Sequence, residues 1–518
     1  MPYLKLADNA LNGDVFIHRS TDSVKKTNDI WNIKLQDKTY QIYAHSLPMV
    51  RYLTKAYEET ASKSYLQESI LYFTNWRKID HKSKYIWHEH PVSARLRNFV
   101  LLSSVIPDTY EKLVEELDAE IKKHIEFLLD DDNYRENNHG IMMDNALANI
   151  LPKLSERLDD LKLDIIKIIK LRTKNAMNRD FSYKKLHLEN SPDYHRLTTQ
   201  WLTGIEKNLN LVGDSLGLKY KNQLEISSKL DAIVSSPTRR YPILGDSSDG
   251  TFKGVKSYED LIDYEAGRAI IHNKEYNSQL TFISGYGSRG HKHYDDLSLI
   301  FHDGKEYILN DSGKYNYNKN DSVRKHMISP LAHNSLSKYK ELYTLSNLYE
   351  NKSKVFLDVV KEYPTYFHIE GWNKSYENLD LNRIILYFKN NSFIILDFFN
   401  SENQNTVAVN FNIGLNIKVK EISYGEFHLK GNQEYILKSH NSNSTSVLLK
   451  DSVSTPCKIS NRFNEYDENH RILYRQKTKR GYFITSLSQL NNVISNIELT
   501  DNILTFEMNG YQESLVIK

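Results

Sequence analysis

The sequence has little of several features that would mark a specialised class of protein. It contains a single cysteine, Cys457, so an intramolecular disulfide and a cysteine-rich metal cluster are both excluded. It has no run of about 18 apolar residues, so we expect no membrane span. The formal net charge is only +2 over 518 residues, which argues against a dedicated nucleic-acid binder, because such proteins usually carry a strong basic excess. A local basic cleft for an acidic polymer remains compatible with this charge.

The N-terminus also lacks the pattern of an export signal. The first residues, MPYLKLADNALNGDVFIH, show no charged segment followed by an apolar one. The sequence alone therefore predicts a cytoplasmic protein, or a periplasmic or secreted one if another route exports it. The remaining composition is that of a globular protein, with 40% hydrophobic and 26% charged residues, so the chain can bury a sizeable core.

The first 235 residues have the periodicity of helices. Apolar residues recur at steps of three and four over residues 110–131, YEKLVEELDAEIKKHIEFLLDD, and again over residues 152–171. This spacing is typical of amphipathic helices. Further stretches of the same kind, joined by short polar links, predict an array of helical hairpins.

The pattern changes after Ser235, where helix-breaking residues cluster at Pro237, Pro242, Gly245 and Gly250. Short β-rich runs follow, separated by turn residues. RIILYFKNNSFIILDFF predicts a hairpin at the two asparagines, and TFEMNGYQESLVI predicts another at its Asn-Gly pair. Many such runs predict an antiparallel sandwich. We therefore predict an α+β multidomain protein with a helical domain over residues 1–235 and a β-sandwich domain over residues 236–518.

The segment SRGHKHYDD places His291 and His293 two residues apart, just before an apolar run. Residues i and i+2 of a strand share a face, and paired imidazoles suit metal binding or acid–base chemistry. A surface pair without a function is the simpler alternative. Asp311 in ILNDSG and His333 in SPLAHNSL would complete a nitrogen and oxygen donor set typical of zinc, provided that the fold brings them to His293.

Other polar residues stand ahead of helical runs. Asn138 and His139 in RENNHG are interpreted either as part of a helix N-cap or as an amide and an imidazole that bind an anion. In ENSPDYH, Glu189 and Tyr194 begin another helix, and a structural tyrosine is the default interpretation there.

WHEHPVSAR contributes Trp87 and Arg95. Together they would form a platform for a sugar ring and a clamp for a carboxylate. A packed tryptophan is the more common alternative.

Taken in order, the segments WHEHPVSAR, NNHG, ENSPDYH, PILGDSSDG, GHKHYDDLS, NDSGKYNY and AHNSL resemble the heparinase II/III superfamily of polysaccharide lyases. They also resemble the alginate and oligoalginate lyases of the same architecture. The resemblance implies an incomplete (α/α) toroid followed by an antiparallel β-sandwich, with the active site in the cleft between them.

The resemblance also implies roles for individual residues. Asn138 and His139 correspond to the pair that contacts the substrate carboxylate. Tyr194 corresponds to the catalytic tyrosine, and His291 corresponds to the histidine on the sandwich side of the cleft. The ligands of a structural zinc, one in each chain, correspond to His293, Asp311 and His333. The candidates for substrate binding are Trp87, Arg95, Glu189, Arg239 and Tyr315.

The implied chemistry is β-elimination at a uronic acid, which leaves a 4,5-unsaturated uronate. A free tyrosine has a pKa of about 10, so ionising it at pH 7 costs about 4 kcal/mol. Neighbouring cations can lower that cost, and Arg239 and Arg240 are candidates for this by their spacing.

Two alternatives remain open. A glycoside hydrolase would use paired carboxylates, for instance Glu189 and Asp296, and an inactive carbohydrate-binding protein would keep the same fold. The expected partner is an acidic polysaccharide or oligosaccharide, such as a glycosaminoglycan, alginate or a bacterial exopolysaccharide. We expect no nucleic acid as a partner, and the sequence leaves the oligomeric state open.

Overall fold

A computed structural model describes residues 3–18, 21–27, 29–345 and 348–517. The chain divides into two compact units. The first, called the helical unit, comprises Met1–Asp180 and Leu197–Glu225. The second, called the sheet unit, comprises Phe181–Arg196 and Ile226–Lys518.

Helices dominate the first part of the chain. They are α1 (Tyr3–Leu11), α2 (Lys38–Ala44), α3 (Pro48–Thr60), α4 (Lys63–Lys78), α5 (Glu89–Ser103), α6 (Glu111–Leu129), α7 (Asn138–Ile150), α8 (Lys162–Arg179), α9 (Pro192–Leu211) and α10 (Leu218–Val234). Two short helices follow later, α11 (Ser322–Met327) and α12 (Leu348–Lys354). The apolar stripe of α6 is buried at Val114, Leu117, Ile121, Ile125 and Leu128, as its period predicts.

The strands lie mainly in the second part. The early ones are β1 (Asp14–Val15), β2 (Val24–Lys25), β3 (Leu261–Asp263), β4 (Arg268–Asn273), β5 (Ser278–Ile283), β6 (Ser298–Asp303), β7 (Glu306–Leu309) and β8 (Leu336–Lys338). The next are β9 (Val355–Glu362), β10 (Tyr366–Tyr376), β11 (Leu379–Phe388), β12 (Phe393–Asn412), β13 (Lys418–Ser423), β14 (Glu426–Lys430), β15 (Glu434–Ser439) and β16 (Thr445–Leu449). The last are β17 (Lys458–Arg462), β18 (Glu465–Glu468), β19 (Arg471–Gln489), β20 (Ile494–Thr500), β21 (Ile503–Met508) and β22 (Tyr511–Val516).

Three antiparallel sheets of the sheet unit position its side chains. Sheet A has the order β3-β4-β5-β6-β7. Sheet B has the order β13-β14-β15-β19-β12-β11-β10-β9, with β16 on β19 and β8 on β12. Sheet C is β20-β21-β22. Both predicted hairpins are confirmed, since β11 pairs with β12 around Asn390 and Asn391 and β21 pairs with β22 around Asn509 and Gly510.

Residues that alternate along the strands of sheet B pack into two different hydrophobic cores. On β11, Ile385 and Tyr387 join the core that contains Phe282 and Phe301 of sheet A. Ile384, Leu386 and Phe388 join the core that contains Leu504 and Phe506 of sheet C. This alternation follows from the two-residue period of a strand, so sheet B buries both of its faces.

The predicted order, a helix-rich part followed by antiparallel sheets, is confirmed. Closure of the helices into a toroid stays a prediction. The boundary between residues 235 and 236 also stays a prediction, although the units follow packing and assign residues 181–196 and 226–234 to the sheet unit. Within the described ranges, each helix is too short or too polar to cross a membrane.

Candidate active site

Tyr194 and His291 form a stacked pair in the sheet unit. Tyr194 lies in the first turn of α9, and Pro192 is the first residue of that helix. The fixed φ angle of proline suits the first position of a helix. The centroids of the two rings are 3.4 Å apart, with an angle of 18° between the ring planes. The Tyr194 hydroxyl shares a hydrogen bond of 3.0 Å with the hydroxyl of Tyr317, a residue that is 47% exposed. A phenol and an imidazole are therefore held face to face.

A buried carboxylate orients the imidazole of His291. The His291 Nδ1 lies 2.9 Å from Asp246 Oδ2, and since a carboxylate accepts, the shared hydrogen lies on Nδ1. Nε2 is then the nitrogen able to accept a proton, and it lies 3.7 Å from Glu189 Oε2. The backbone of His291 has a φ of 55°, a conformation that costs a residue with a side chain about 1 kcal/mol or more. Strain of this kind is frequent at functional sites.

Asp246 joins three side chains. Its Oδ1 accepts a hydrogen bond from His293 Nε2 at 3.0 Å and forms an ion pair with Arg324 Nη1 at 2.7 Å, while its Oδ2 accepts from His291. Burial alone would raise the pKa of Asp246, but the hydrogen bonds from both histidines and the charge of Arg324 hold it well below its usual range. The residue is a permanent anion between His291 and His293.

The pKa of Tyr194 is raised to about 12. Burial is the main cause. The hydrogen bond with Tyr317 acts in the opposite direction, and the negative charges of Asp246, Glu189 and Asp193 raise the pKa further. The expectation that neighbouring cations lower this pKa is therefore wrong for the free protein. Burial, helped by these carboxylates, keeps Tyr194 protonated at neutral pH.

His293, Asp311 and His333 converge within the sheet unit. All three are buried, and one donor atom from each lies within 4.8 Å of the others. His333 Nδ1 is 2.9 Å from Asp311 Oδ2. His293 Nδ1 and His333 Nε2 are buried without a hydrogen-bond partner among the described residues. Such atoms are costly unless something satisfies them, and a metal ion would do so. The group could therefore bind a metal.

The second cluster lies in the helical unit, at the start of α7. The side chain of Asn137 caps the helix by accepting from the backbone N–H of His139 at 2.8 Å, and Asn138 is the first helical residue. The His139 Nδ1 lies 2.7 Å from Glu89 Oε1. Burial would raise the pKa of Glu89, but the hydrogen bond from His139 and the charges of His88 and His139 lower it to about 2. Glu89 is thus an ionised carboxylate that orients the half-exposed His139 ring.

Comparison with known proteins settles the family. The profile described as Heparinase II/III N-terminus matches residues 3–268, and the profile described as Heparinase II/III-like, C-terminal matches residues 265–488. The chain belongs to the heparinase II/III family of polysaccharide lyases. Its sequence matches no curated protein.

Solved structures share the fold of this family member. A heparinase III is 16% identical, with a TM-score of 0.83 over 99% of this chain and 90% of that chain. The heparan sulfate lyase of Pedobacter heparinus is 15% identical, with a TM-score of 0.73 over 99% of this chain and 88% of that chain. The chondroitin AC lyase of Streptomyces coelicolor A3 is 9% identical, with a TM-score of 0.55 over 98% of this chain and 83% of that chain.

In this heparinase II/III protein, the prediction of Arg95 as a substrate ligand is wrong. The side chain is fully buried and donates hydrogen bonds to the carbonyl oxygens of His45 and Ile86 and to His124 Nε2. Its guanidinium lies 5.5 Å from the ring centroid of Trp87. Arg95 therefore links parts of the helical core, and substrate contact by the partly buried Trp87 stays a prediction.

The other predicted substrate ligands lie at different places. Glu189 lies against His291. Arg239 is exposed in a turn with a φ of 59°, and its contact with substrate stays a prediction. The ring of Tyr315 packs against Tyr466, with centroids 5.4 Å apart, whereas Tyr317 two residues later reaches Tyr194.

The carboxylate pair of the hydrolase alternative is not available to a substrate. Asp296 is 2% exposed, pairs with Lys292 at 2.7 Å and accepts a short hydrogen bond from Tyr343. A glycosidase needs both of its carboxylates at the scissile bond. The burial of Asp296 therefore argues against hydrolysis by this pair.

Sequence reasoning missed Glu89, Asp246, Tyr317 and Arg324. Asp246 lies in PILGDSSDG and Tyr317 in NDSGKYNY, both of which carry the family resemblance. The pattern did not indicate which polar residue of each segment approaches Tyr194 or His291. Only the convergence of distant segments identifies them.

Proposed function

We propose that this protein cleaves a uronic-acid-containing polysaccharide by β-elimination and leaves a 4,5-unsaturated uronate at the new non-reducing end. The stacked pair of Tyr194 and His291, joined to Asp246, is the observation that carries this proposal. The pair supplies a protonated phenol next to an imidazole whose Nδ1 donates a hydrogen bond to a carboxylate. An elimination needs just such an acid and a base.

The first requirement of the reaction is to neutralise the uronate. The C5 proton is poorly acidic while the neighbouring carboxylate keeps its charge. We assign Asn138 and His139 to that carboxylate, because hydrogen bonds to it strengthen as the enolate develops. Glu89 holds His139 Nδ1, which leaves Nε2 as the edge that meets the substrate.

The proton transfers follow from the state of Tyr194. With a pKa of about 12, its ionisation at pH 7 costs about 7 kcal/mol, at 1.36 kcal/mol for each pKa unit. We therefore assign Tyr194 as the acid and His291 Nε2 as the base. His291 takes the C5 proton, and the electrons of the C5–H bond form the C4–C5 double bond. The C4–O bond breaks with its electrons on the leaving oxygen, and that oxygen takes the Tyr194 proton. Exchange with water then restores both groups.

The neighbours of the pair support these roles. Asp246 stabilises the imidazolium that forms on His291, because it lies 2.9 Å from Nδ1. The hydroxyl of Tyr317, 3.0 Å from that of Tyr194, donates to the phenolate as the proton leaves. Both contacts gain strength as charge develops, which is how an enzyme lowers a barrier.

We further propose that the ion held by His293, Asp311 and His333 is zinc. Two imidazoles and a carboxylate are donors that zinc accepts in a tetrahedral site. When bound, zinc would supply structural support and no proton transfer. His293 would then stay in place, its Nε2 would keep its bond to Asp246, and Asp246 would keep His291 oriented. The role of the metal ligands is thus to position the base.

A panel of uronans tests the proposal. Heparan sulfate, chondroitin, alginate and bacterial exopolysaccharides are incubated separately with the protein, and ultraviolet-absorbing unsaturated ends are measured. We expect at least one polymer class to give such ends, at a rate that is at least about a hundredfold lower with the Tyr194→Phe variant. Cleavage without unsaturated ends would contradict elimination. The polymer that reacts names the substrate class.

A further inference from the structure

A cavity of about 590 Å³ lies within the helical unit, a volume that suits a small ligand. It runs along α5 from His90 to Leu101, and its other walls are formed by α3, the final residues of α7 and α9, residues 16–18, Tyr43 and Ser46. The lining residues that carry a fixed positive charge are Arg51, Lys55, Arg97 and Lys153. Among its described lining residues there is no carboxylate. Lys55 pairs with Glu58 at 2.5 Å, so the positive charge of the cavity comes chiefly from Arg51, Arg97 and Lys153.

Two of these cations have no counter-charge. In the described part of the chain, neither Arg51 nor Arg97 forms an ion pair. Arg51 lies over the ring of Tyr3, 5.8 Å from its centroid, and Arg97 Nε donates to the carbonyl oxygen of Ser93 at 3.2 Å. Burial and the charge of Arg51 lower the pKa of Arg97 to about 10. Two like charges thus face the same space, an arrangement that an anion would stabilise.

The helix dipole does not explain the positions of Arg51 and Arg97. A cation after the last turn of a helix is favourable, and this explains Lys153, which follows α7. Arg51 is in the first half of α3 and Arg97 is near the middle of α5, where the helix dipole offers nothing to a cation. Arg51 is exposed and is solvated where it stands, so the partly buried Arg97 is the cation that an anion would stabilise most.

The side-chain amides that line the cavity already make hydrogen bonds within the protein. The side-chain Nδ2 atoms of Asn98, Asn149 and Asn208 donate to backbone oxygens at 2.6–2.9 Å. Contacts to a ligand would therefore come from the cations. Guanidinium groups present paired N–H donors that match the oxygens of sulfate and phosphate.

We propose that this cavity binds a sulfate or phosphate group, either as the free ion or as an ester on a saccharide. One end of the cavity, at His90, adjoins Glu89, but Arg97 is remote from the residues assigned to elimination. Arg97 lies eight residues after Glu89 on α5, which is about 12 Å along the helix axis. The proposal does not depend on the reaction assigned to Tyr194.

Calorimetric titration at low ionic strength tests the proposal. The ligands are inorganic sulfate, inorganic phosphate, a sulfated monosaccharide and its unsulfated counterpart. The variants are Arg97→Gln and the double variant Arg51→Gln with Lys153→Gln, whose two positions are exposed, so that folding is not at risk. Lys112→Gln, an exposed change on α6 outside the cavity, is the matched control.

We expect saturable binding of at least one anionic ligand, weaker by about tenfold or more in both cavity variants, because each lost contact is a charge-assisted hydrogen bond. The Lys112→Gln and Tyr194→Phe proteins should bind as the wild type does. A sulfated sugar that binds more tightly than sulfate indicates an ester as the natural ligand, and equal affinity indicates the free ion. No saturable binding, or equal affinity in all variants, would overturn the proposal and leave the assigned reaction untouched.

Discussion

Replacing Tyr194 by phenylalanine removes one oxygen atom and keeps the ring that stacks on His291 at 3.4 Å. The loss to folding is one hydroxyl–hydroxyl hydrogen bond, to Tyr317, which contributes about 1 kcal/mol. In a protein of this size that shifts the melting temperature by at most about 2 °C. The loss to catalysis is the proton donor, and general acids commonly contribute about 10²–10⁴-fold. We therefore expect turnover to fall at least about a hundredfold, or about 2.7 kcal/mol on the barrier.

The assay follows ultraviolet absorbance on the uronan that the wild type cleaves, together with calorimetric melting of each variant. Tyr317→Phe is the matched control, because it breaks the same hydrogen bond from the other side and keeps the Tyr194 proton. We expect it to melt like Tyr194→Phe but to lose no more than about tenfold in turnover, the effect of one hydrogen bond. A Tyr194→Phe protein that keeps more than about a tenth of the activity would refute the assigned acid. Equal losses in the two variants would refute it as well.

Three further outcomes follow from the two clusters. His139→Ala should lower turnover at least about a hundredfold in the same assay, because the uronate charge then opposes the enolate, and should also lower the melting temperature, because Glu89 loses its partner; activity close to wild type would contradict its role. Metal analysis should find about one zinc per chain, lost together with thermal stability in His333→Ala and kept in the control His302→Ala; a fully active metal-free protein would contradict the site. Because the pKa of Glu89 is lowered from 4.5 to about 2, its ionised form stabilises the fold fully above pH 4.5, and this is lost as the pH falls toward 2. Stepwise acid melting should therefore show a flatter decline for Glu89→Gln over that range, and an unchanged slope would count against the His139 contact.

Some helices and hairpins of the fold were predictable because a short stretch of sequence determines each of them. The apolar stripe of α6 from Val114 to Leu128 follows from the helical period, and its residues are buried as that period predicts. The turn at Asn509 and Gly510 needs two residues with positive φ, and both have it. Asn-Gly is the sequence that provides such a pair most readily, so this hairpin could be placed from the sequence alone.

Arg95 shows where such reasoning fails. A charged residue near a tryptophan predicts an exposed ligand, because burying a guanidinium is costly. The fold offsets that cost with the carbonyl oxygens of His45 and Ile86, acceptors that become known only from the tertiary structure. Its place in the core was therefore not predictable from the neighbouring residues.

The acid–base assignment depends on contacts between distant segments. Asp246 lies 45 residues before His291 and 47 before His293, and no spacing in the sequence indicates that one carboxylate bonds both. The same carboxylate helps to raise the pKa of Tyr194. The sequence could nominate a tyrosine and a histidine, and the proposal that Tyr194 is the acid and His291 the base rests on contacts that only the structure shows.

Cleavage in water enriched in heavy oxygen tests the central claim most directly. An elimination takes no oxygen from water, so in a reaction short enough to precede exchange at the new hemiacetal the products of a reactive uronan should carry no heavy oxygen at the new ends. Their combined mass should equal that of the substrate. A hydrolysis adds one water, and its oxygen would be found at the new reducing end. Products that carry heavy oxygen would contradict β-elimination, and unlabelled products with an unsaturated uronate are the result that we predict.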